Sequence, residues 1–247
     1  MRRSVKILAI VAALVLAGYV AYSLIYPTIS LRYRLTLDVD VDGVTHTGSG
    51  VVEVVYKFEP HPFNIDDFQF YPGHLHGNAI TVDLGDRGLL FVVDTGSFLY
   101  DPGARQPFAP RYTNLRALPL RANDFDDGDP RPELVVDPKT IMAVKLNRQP
   151  IDFPPKELPM LVRFRFLGDP PSVEQVNPLD LASTFGPGVR LLRATFQITD
   201  EPVTPIPDIW PKWLVEYKDH PDLPIGSGPL MRVSFTTLLH RRDFKGE

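Results

Sequence analysis

Residues 7–26, from Ile7 through Tyr26, hold twenty side chains without a single charge. At about 1.5 Å of rise per helical residue such a run spans roughly 30 Å, the hydrocarbon thickness of a bilayer. The reading this dictates is a transmembrane helix. Arg2, Arg3 and Lys6 precede it, and by the positive-inside rule they hold residues 1–6 in the cytoplasm as a short stub. Arg32 and Arg34 follow on the other side and weaken that bias. A cleavable signal peptide has the same basic start but a shorter apolar core of about 7–15 residues and a small-residue cleavage site. Here Tyr19, Tyr22 and Tyr26 crowd the exit end, where an aromatic belt sits, and Pro27 ends the helix. An uncleaved anchor is therefore preferred over a cleaved signal. The expected location is the bacterial inner membrane, single-pass, with the N-terminus cytoplasmic and the C-terminal domain periplasmic.

About 220 residues follow the anchor, enough for one large or two small domains. Without Arg2, Arg3 and Lys6 they carry 23 basic against 30 acidic side chains, a net charge of about −7. That balance argues against nucleic acid and against anionic lipid as partners. The chain contains no cysteine, so disulfides, thiol catalysis, thiolate metal sites and a lipoprotein anchor are all excluded. Its 26 prolines cluster after Tyr100 and again from Pro202 to Pro229. Such density forbids long helices there and suits turns, edge strands and extended segments.

Strict alternation runs from Leu31 to Val41, with Leu31, Tyr33, Leu35, Leu37, Val39 and Val41 on one face and Arg32, Arg34, Thr36, Asp38 and Asp40 on the other. It predicts a half-buried strand. The pattern resumes at Val52, Val54, Tyr56 and Phe58 beyond the Asp42-Gly43 pair, which predicts a hairpin with a longer loop. Residues 79–84 and 89–95 predict a second hairpin, and its return strand, beginning Leu89-Leu90-Phe91-Val92-Val93, is apolar throughout and so buried on both faces. Short strands are expected at 115–120, 161–167, 189–199 and 229–239. Asp137-Pro138 is a cap for a short helix over 139–146, and Asn177-Pro178 with Gly186-Pro187 brackets another. The fold class this yields is all-β, a sandwich or barrel-like body with one or two short helices, preceded by the membrane helix. The β-rich periplasmic domain is placed at 27–204, and 205–247 is read as a Pro/Trp-rich wrap with a closing strand.

Two blocks carry a resemblance. Tyr33 through Val54, with its Leu-Asp-Val-Asp-Val-Asp-Gly run, and Leu158 through Thr204, with Asn-Pro-Leu-Asp-Leu-Ala-Ser-Thr-Phe-Gly-Pro-Gly, resemble a family of uncharacterised proteobacterial envelope proteins with one N-terminal membrane helix. The resemblance implies an envelope location. It implies no reaction, ligand or site residue.

Four constellations suggest chemistry. Asp94-Thr95-Gly96-Ser97 after an apolar strand is similar to an aspartyl-protease loop, in which two carboxylates share a proton and activate water. A second copy of the string is absent, so this role for Asp94 requires homodimerisation. His74 and His76 have the spacing that points two imidazoles to one side of a strand, and His61 supplies a third nitrogen for a zinc-dependent hydrolase if it reaches them. Against this, the Pro-Gly-His-Leu-His-Gly string reads as a flexible loop with solvated histidines. The acidic string Asp124-Phe125-Asp126-Asp127-Gly128-Asp129-Pro130 fails the EF-hand test. With Gly128 at the sixth position, Phe125 and Leu134 fall where oxygen donors are required. Trp210, Trp213 and Tyr217 are either anchors for a protein or sugar partner or core residues of the C-terminal wrap. The expectation that results is a membrane-anchored binding or assembly module of the cell envelope, without a cofactor, whose partners are envelope proteins and which holds the membrane through Ile7 to Tyr26. The enzymatic alternatives are the histidine-based hydrolase and the Asp94 protease.

Overall fold

The computed structural model describes residues 2–58, 71–94, 114–123, 137–169, 172–216 and 244–246. Helix α1 (Arg2–Ile25) leads directly into strand β1 (Ile29–Val41), which returns as β2 (Val44–Tyr56). Next come β3 (Gly73–Asn78), β4 (Ile80–Asp83), β5 (Leu89–Val92), α2 (Leu118–Arg121) and α3 (Pro138–Leu146). Then follow β6 (Ile151–Asp152), β7 (Leu161–Phe164), β8 (Val173–Val176), α4 (Ala182–Phe185), β9 (Val189–Thr199), α5 (Lys212–Glu216) and β10 (Lys245–Gly246).

These strands form two antiparallel sheets, a larger one in the order β10-β3-β2-β1-β9-β6 and a smaller one in the order β4-β5-β7-β8. The alternation along β1 does what its period demands. Leu31, Tyr33, Leu35, Leu37 and Val39 are all buried, while Arg32, Arg34, Thr36 and Asp38 face outward. The inward row packs across to Ile80, Val82, Leu90, Val92, Leu161 and Val176 of the smaller sheet, making one inter-sheet core. The opposite face of the smaller sheet is covered too. Leu89, Phe91, Val162 and Phe164 pack there against Trp210, Leu214 and Phe244. All four residues of β5 are accordingly buried, as a continuously apolar strand requires.

The hairpin between β1 and β2 is tighter than its sequence suggests. Thr45–Gly50 is paired strand in register with Leu35–Asp40, and the connection is the Asp42-Gly43 pair alone. Both residues have positive φ, 53° and 88°, the backbone of a two-residue type I′ turn, whose twist matches that of the flanking strands. The polar Thr-His-Thr-Gly-Ser-Gly string reads as loop because its outward residues are all hydrophilic; pairing with β1 overrides that.

Three further expectations are corrected. His74 and His76 lie on β3, a strand paired to β2 through Glu53↔His76 and Val55↔His74, and not on a loop. Residues 115–120 form a turn and the start of α2, because Asn114 Oδ1 accepts the Ala117 amide at 2.8 Å and initiates a helical turn. The helix bracketed by Asn177 and Gly186 shrinks to one turn, α4, since Asn177 Oδ1 is spent on the Leu179 amide in a preceding turn. The 229–239 strand lies outside the described residues.

Helix α3 matches its capping signal. Asp137 accepts from the Lys139 amide at 2.8 Å and the Thr140 amide at 3.2 Å, and Pro138 fills the first turn. The bond from the Thr140 hydroxyl, reinforced by those amides, holds the Asp137 carboxyl below its ordinary pKa. A carboxylate whose folded pKa is depressed stabilises the protein above the unfolded value and loses that contribution as pH falls through the folded one. Asp137→Ala is expected to cost about 1 kcal/mol, read as a lower urea midpoint at pH 7. The gap between the variant and the parent should narrow as the pH is taken below 4.

Candidate functional site

A polar cleft lies at the end of the larger sheet where α1 enters. β1 begins there with Ile29, and β2 and β9 finish there at Tyr56 and Thr199. The helix exit is packed against this end by a run of rings. Tyr22 meets Tyr26 at 5.1 Å, Tyr26 stacks on Phe58 at 4.1 Å, and Phe58 meets Tyr71 at 5.6 Å. Beside it a groove of about 160 Å³ is walled by Ser30 and Arg32 of β1, Lys145 and Arg148 from the end of α3, and Thr199 and Asp200 at the end of β9.

Two of its three cations are neutralised in place. Arg148 forks onto Asp200 with bonds of 2.5 and 3.0 Å, and Arg32 stands 3.3 Å from Glu53 across the β1–β2 ladder. The Arg148 fork is the first cause of the low Asp200 pKa, and Lys145 and Arg32 add to it through space. Lys145 makes no such close contact among the described residues, so the groove keeps one surplus positive charge. The sequence contains the signal for this, Lys145 and Arg148 three residues apart at a helix terminus, but nothing in it shows that Arg32 lies alongside.

A second polar cluster is buried between the sheets. Asp94, just past β5, is only 8 % exposed, and its Oδ2 lies 3.0 Å from Arg116 Nε. Tyr33 donates to the Leu115 carbonyl at 2.6 Å and Tyr56 to the Arg116 carbonyl at 3.2 Å. Burial, with the Asp94 charge and Tyr56 beside it, pushes the Tyr33 phenol well above its ordinary pKa, so it serves as a neutral donor. The four side chains fasten residues 114–116 to the inner wall of the sandwich next to Asp94. Proton sharing of the aspartyl-protease kind takes two carboxylates. Asp94 faces a guanidinium here, and the other buried carboxylate among the described residues, Asp40, pairs with Arg190 at 2.8 Å near the β1–β2 turn. Thr95, Gly96 and Ser97 lie outside the described residues.

His74 and His76 share the outward face of β3, both exposed. Their spacing therefore does put both rings on one side. His61 lies outside the described residues, and among the described residues no group of three His, Cys, Asp or Glu side chains is placed to hold a metal. The acidic 124–130 string also lies outside them.

Trp210 is 4 % exposed, donates its indole N–H to the Thr81 hydroxyl at 2.8 Å and meets Phe91 edge-on at 5.7 Å. Trp213 is half-buried, donates to the Leu167 carbonyl at 2.7 Å and packs edge-on against Phe164 at 5.1 Å. Both indoles hold the C-terminal segment on the smaller sheet. Tyr217 lies outside the described residues. Two residues past the end of β7, Phe166 is 64 % exposed, an apolar tip that alternation in the sequence assigns to the strand itself.

No family model matches the chain, and neither a curated protein nor a solved structure matches it.

Proposed function

We propose that this protein is a single-pass inner-membrane protein whose β-sandwich stands in the periplasm and acts by binding, as a structural or assembly module of the bacterial envelope. One observation carries the reading: the apolar side chains of α1 from Lys6 onward are left unburied by the domain. The span Lys6–Ile25 buries none of its residues against the domain, and Leu8, Leu14 and Leu24 are 71 %, 68 % and 77 % exposed. Burial of a leucine side chain is worth about 1.5–3 kcal/mol, so a row of them left in water is untenable and a bilayer supplies the missing environment. The basic residues before the helix favour a cytoplasmic N-terminus, and the envelope location implied by the family resemblance agrees with that orientation.

A tether of this kind raises the effective concentration of the domain toward other membrane-bound proteins without any new contact. That advantage serves binding. The test is a photo-crosslinking residue placed at Lys212, an exposed position between the two tryptophans, activated in intact cells. A defined envelope protein crosslinked through this site is expected. Recovery of no envelope protein, or of cytosolic proteins alone, refutes the module.

A further inference from the structure

We infer that the exposed face of α3 and the groove beside it rest on the bilayer that holds α1, with Lys145 meeting the phosphates of anionic phospholipids. The inference rests on the anchoring reading above and adds a second, surface contact to it. Helix α3 buries Ile141 and Val144 in the inter-sheet core, while Met142 and Leu146, one turn apart, are 43 % and 74 % exposed. Residues at i and i+4 lie on one face of a helix. Lys139 and Lys145 flank that face and Arg148 follows it. Apolar side chains bordered by cations are the composition of a helix lying in a membrane interface.

Position supports the same occupant. Ser30, in the wall of the groove, is four residues beyond Tyr26, and an extended chain covers at most about 14 Å in that distance. The aromatic stack at Tyr26 fixes the helix exit to this end of the sandwich and to no other. The net negative charge of the exported part is not carried by this groove, whose lining sets Arg32, Lys145 and Arg148 against Glu53 and Asp200.

Because the chain is free of cysteine, single thiols can be placed at will. The full-length protein in nanodiscs takes a fluorophore at Leu146→Cys or, as a control at the far turn, at Val44→Cys, with nitroxide lipid as a shallow quencher. Quenching at position 146 well above that at 44 is expected in phosphatidylglycerol discs. Lys145→Gln should lower the docked-to-undocked ratio about fivefold, the worth of one cation near an anionic surface. Equal, weak quenching at 146 and 44 overturns the inference while leaving the anchor intact. Strong quenching at 146 that is the same in phosphatidylcholine discs and indifferent to Lys145→Gln overturns the phosphate contact. Failure of the protein to enter discs at all overturns the anchoring reading and this one with it.

Discussion

Gly48→Val is expected to destabilise the sandwich by about 3 kcal/mol or more, the upper range for overpacking a tight core. Gly48 and Gly50 occupy inward positions of β2, opposite Leu37 and Leu35. At Gly48 an added Cβ would run into the Thr81 carbonyl oxygen, come within 2.6 Å of Val82 Cγ2 and 2.7 Å of Val82 Cα; at Gly50 it would stand 2.9 Å from Ile80 Cγ1. Two of the Gly48 contacts are backbone, so no rotamer change relieves them. The strand β4 approaches β2 as closely as it does because these two side chains are missing. Ser49→Ala, on the outward face between them, should change stability by less than about 0.5 kcal/mol. Urea unfolding of the full chain in detergent separates the two: a shared midpoint for Gly48→Val and Ser49→Ala would mean that the sheets do not meet at this seam.

The second large effect is expected at Phe91. Its fully buried ring meets Phe164, Trp210 and Phe244 edge-on at 5.7, 5.7 and 5.8 Å. Phe91→Ala should cost about 3–5 kcal/mol, through lost transfer energy and the cavity left behind. The loss carries a signature beyond stability. Both tryptophans of the chain cover this side of the smaller sheet, so their emission should shift to the red as the C-terminal segment loosens. An unshifted emission together with a normal midpoint would mean that the 210–216 segment is not held by this cluster.

Much of this architecture is legible in local pattern, and the exceptions have causes. The period-2 run over 31–41 and the run at 189–199 became β1 and β9 because each strand has one buried face and so one possible register. The Asp137-Pro138 cap worked because its hydrogen bonds are made within four residues. Local pattern fails where a distant partner decides. Thr45–Gly50 is too polar to look like a strand until β1 is laid beside it. The segment His74–His76 gains its extended form from β2, and β8 carries no period-2 signal, since Val173–Val176 is apolar only at its two ends and exists through its ladder with β7.

For the candidate sites the same division holds. The spacing of His74 and His76 put both rings on one side of β3. The Asp94 string shows a carboxylate at a strand end but neither its burial nor its counter-ion, since Arg116 arrives from a segment 22 residues later. Tryptophans 210 and 213 had two readings of equal merit in the sequence, because whether an indole is covered depends on Phe91, Phe164 and Thr81. The groove at Lys145 and Arg148 is legible only as far as those two cations, for the same reason: four separate elements supply its walls.

The central claim, that α1 crosses the inner membrane and leaves the sandwich outside the cytosol, is tested most directly by a thiol at the far turn. Val44→Cys, 61 % exposed in the parent, would be treated in spheroplasts with a membrane-impermeant maleimide. The account predicts full labelling before the inner membrane is opened, on a protein that stays in the membrane pellet through an alkaline wash. Labelling only after lysis of the inner membrane, or a labelled protein released by the wash, would contradict it.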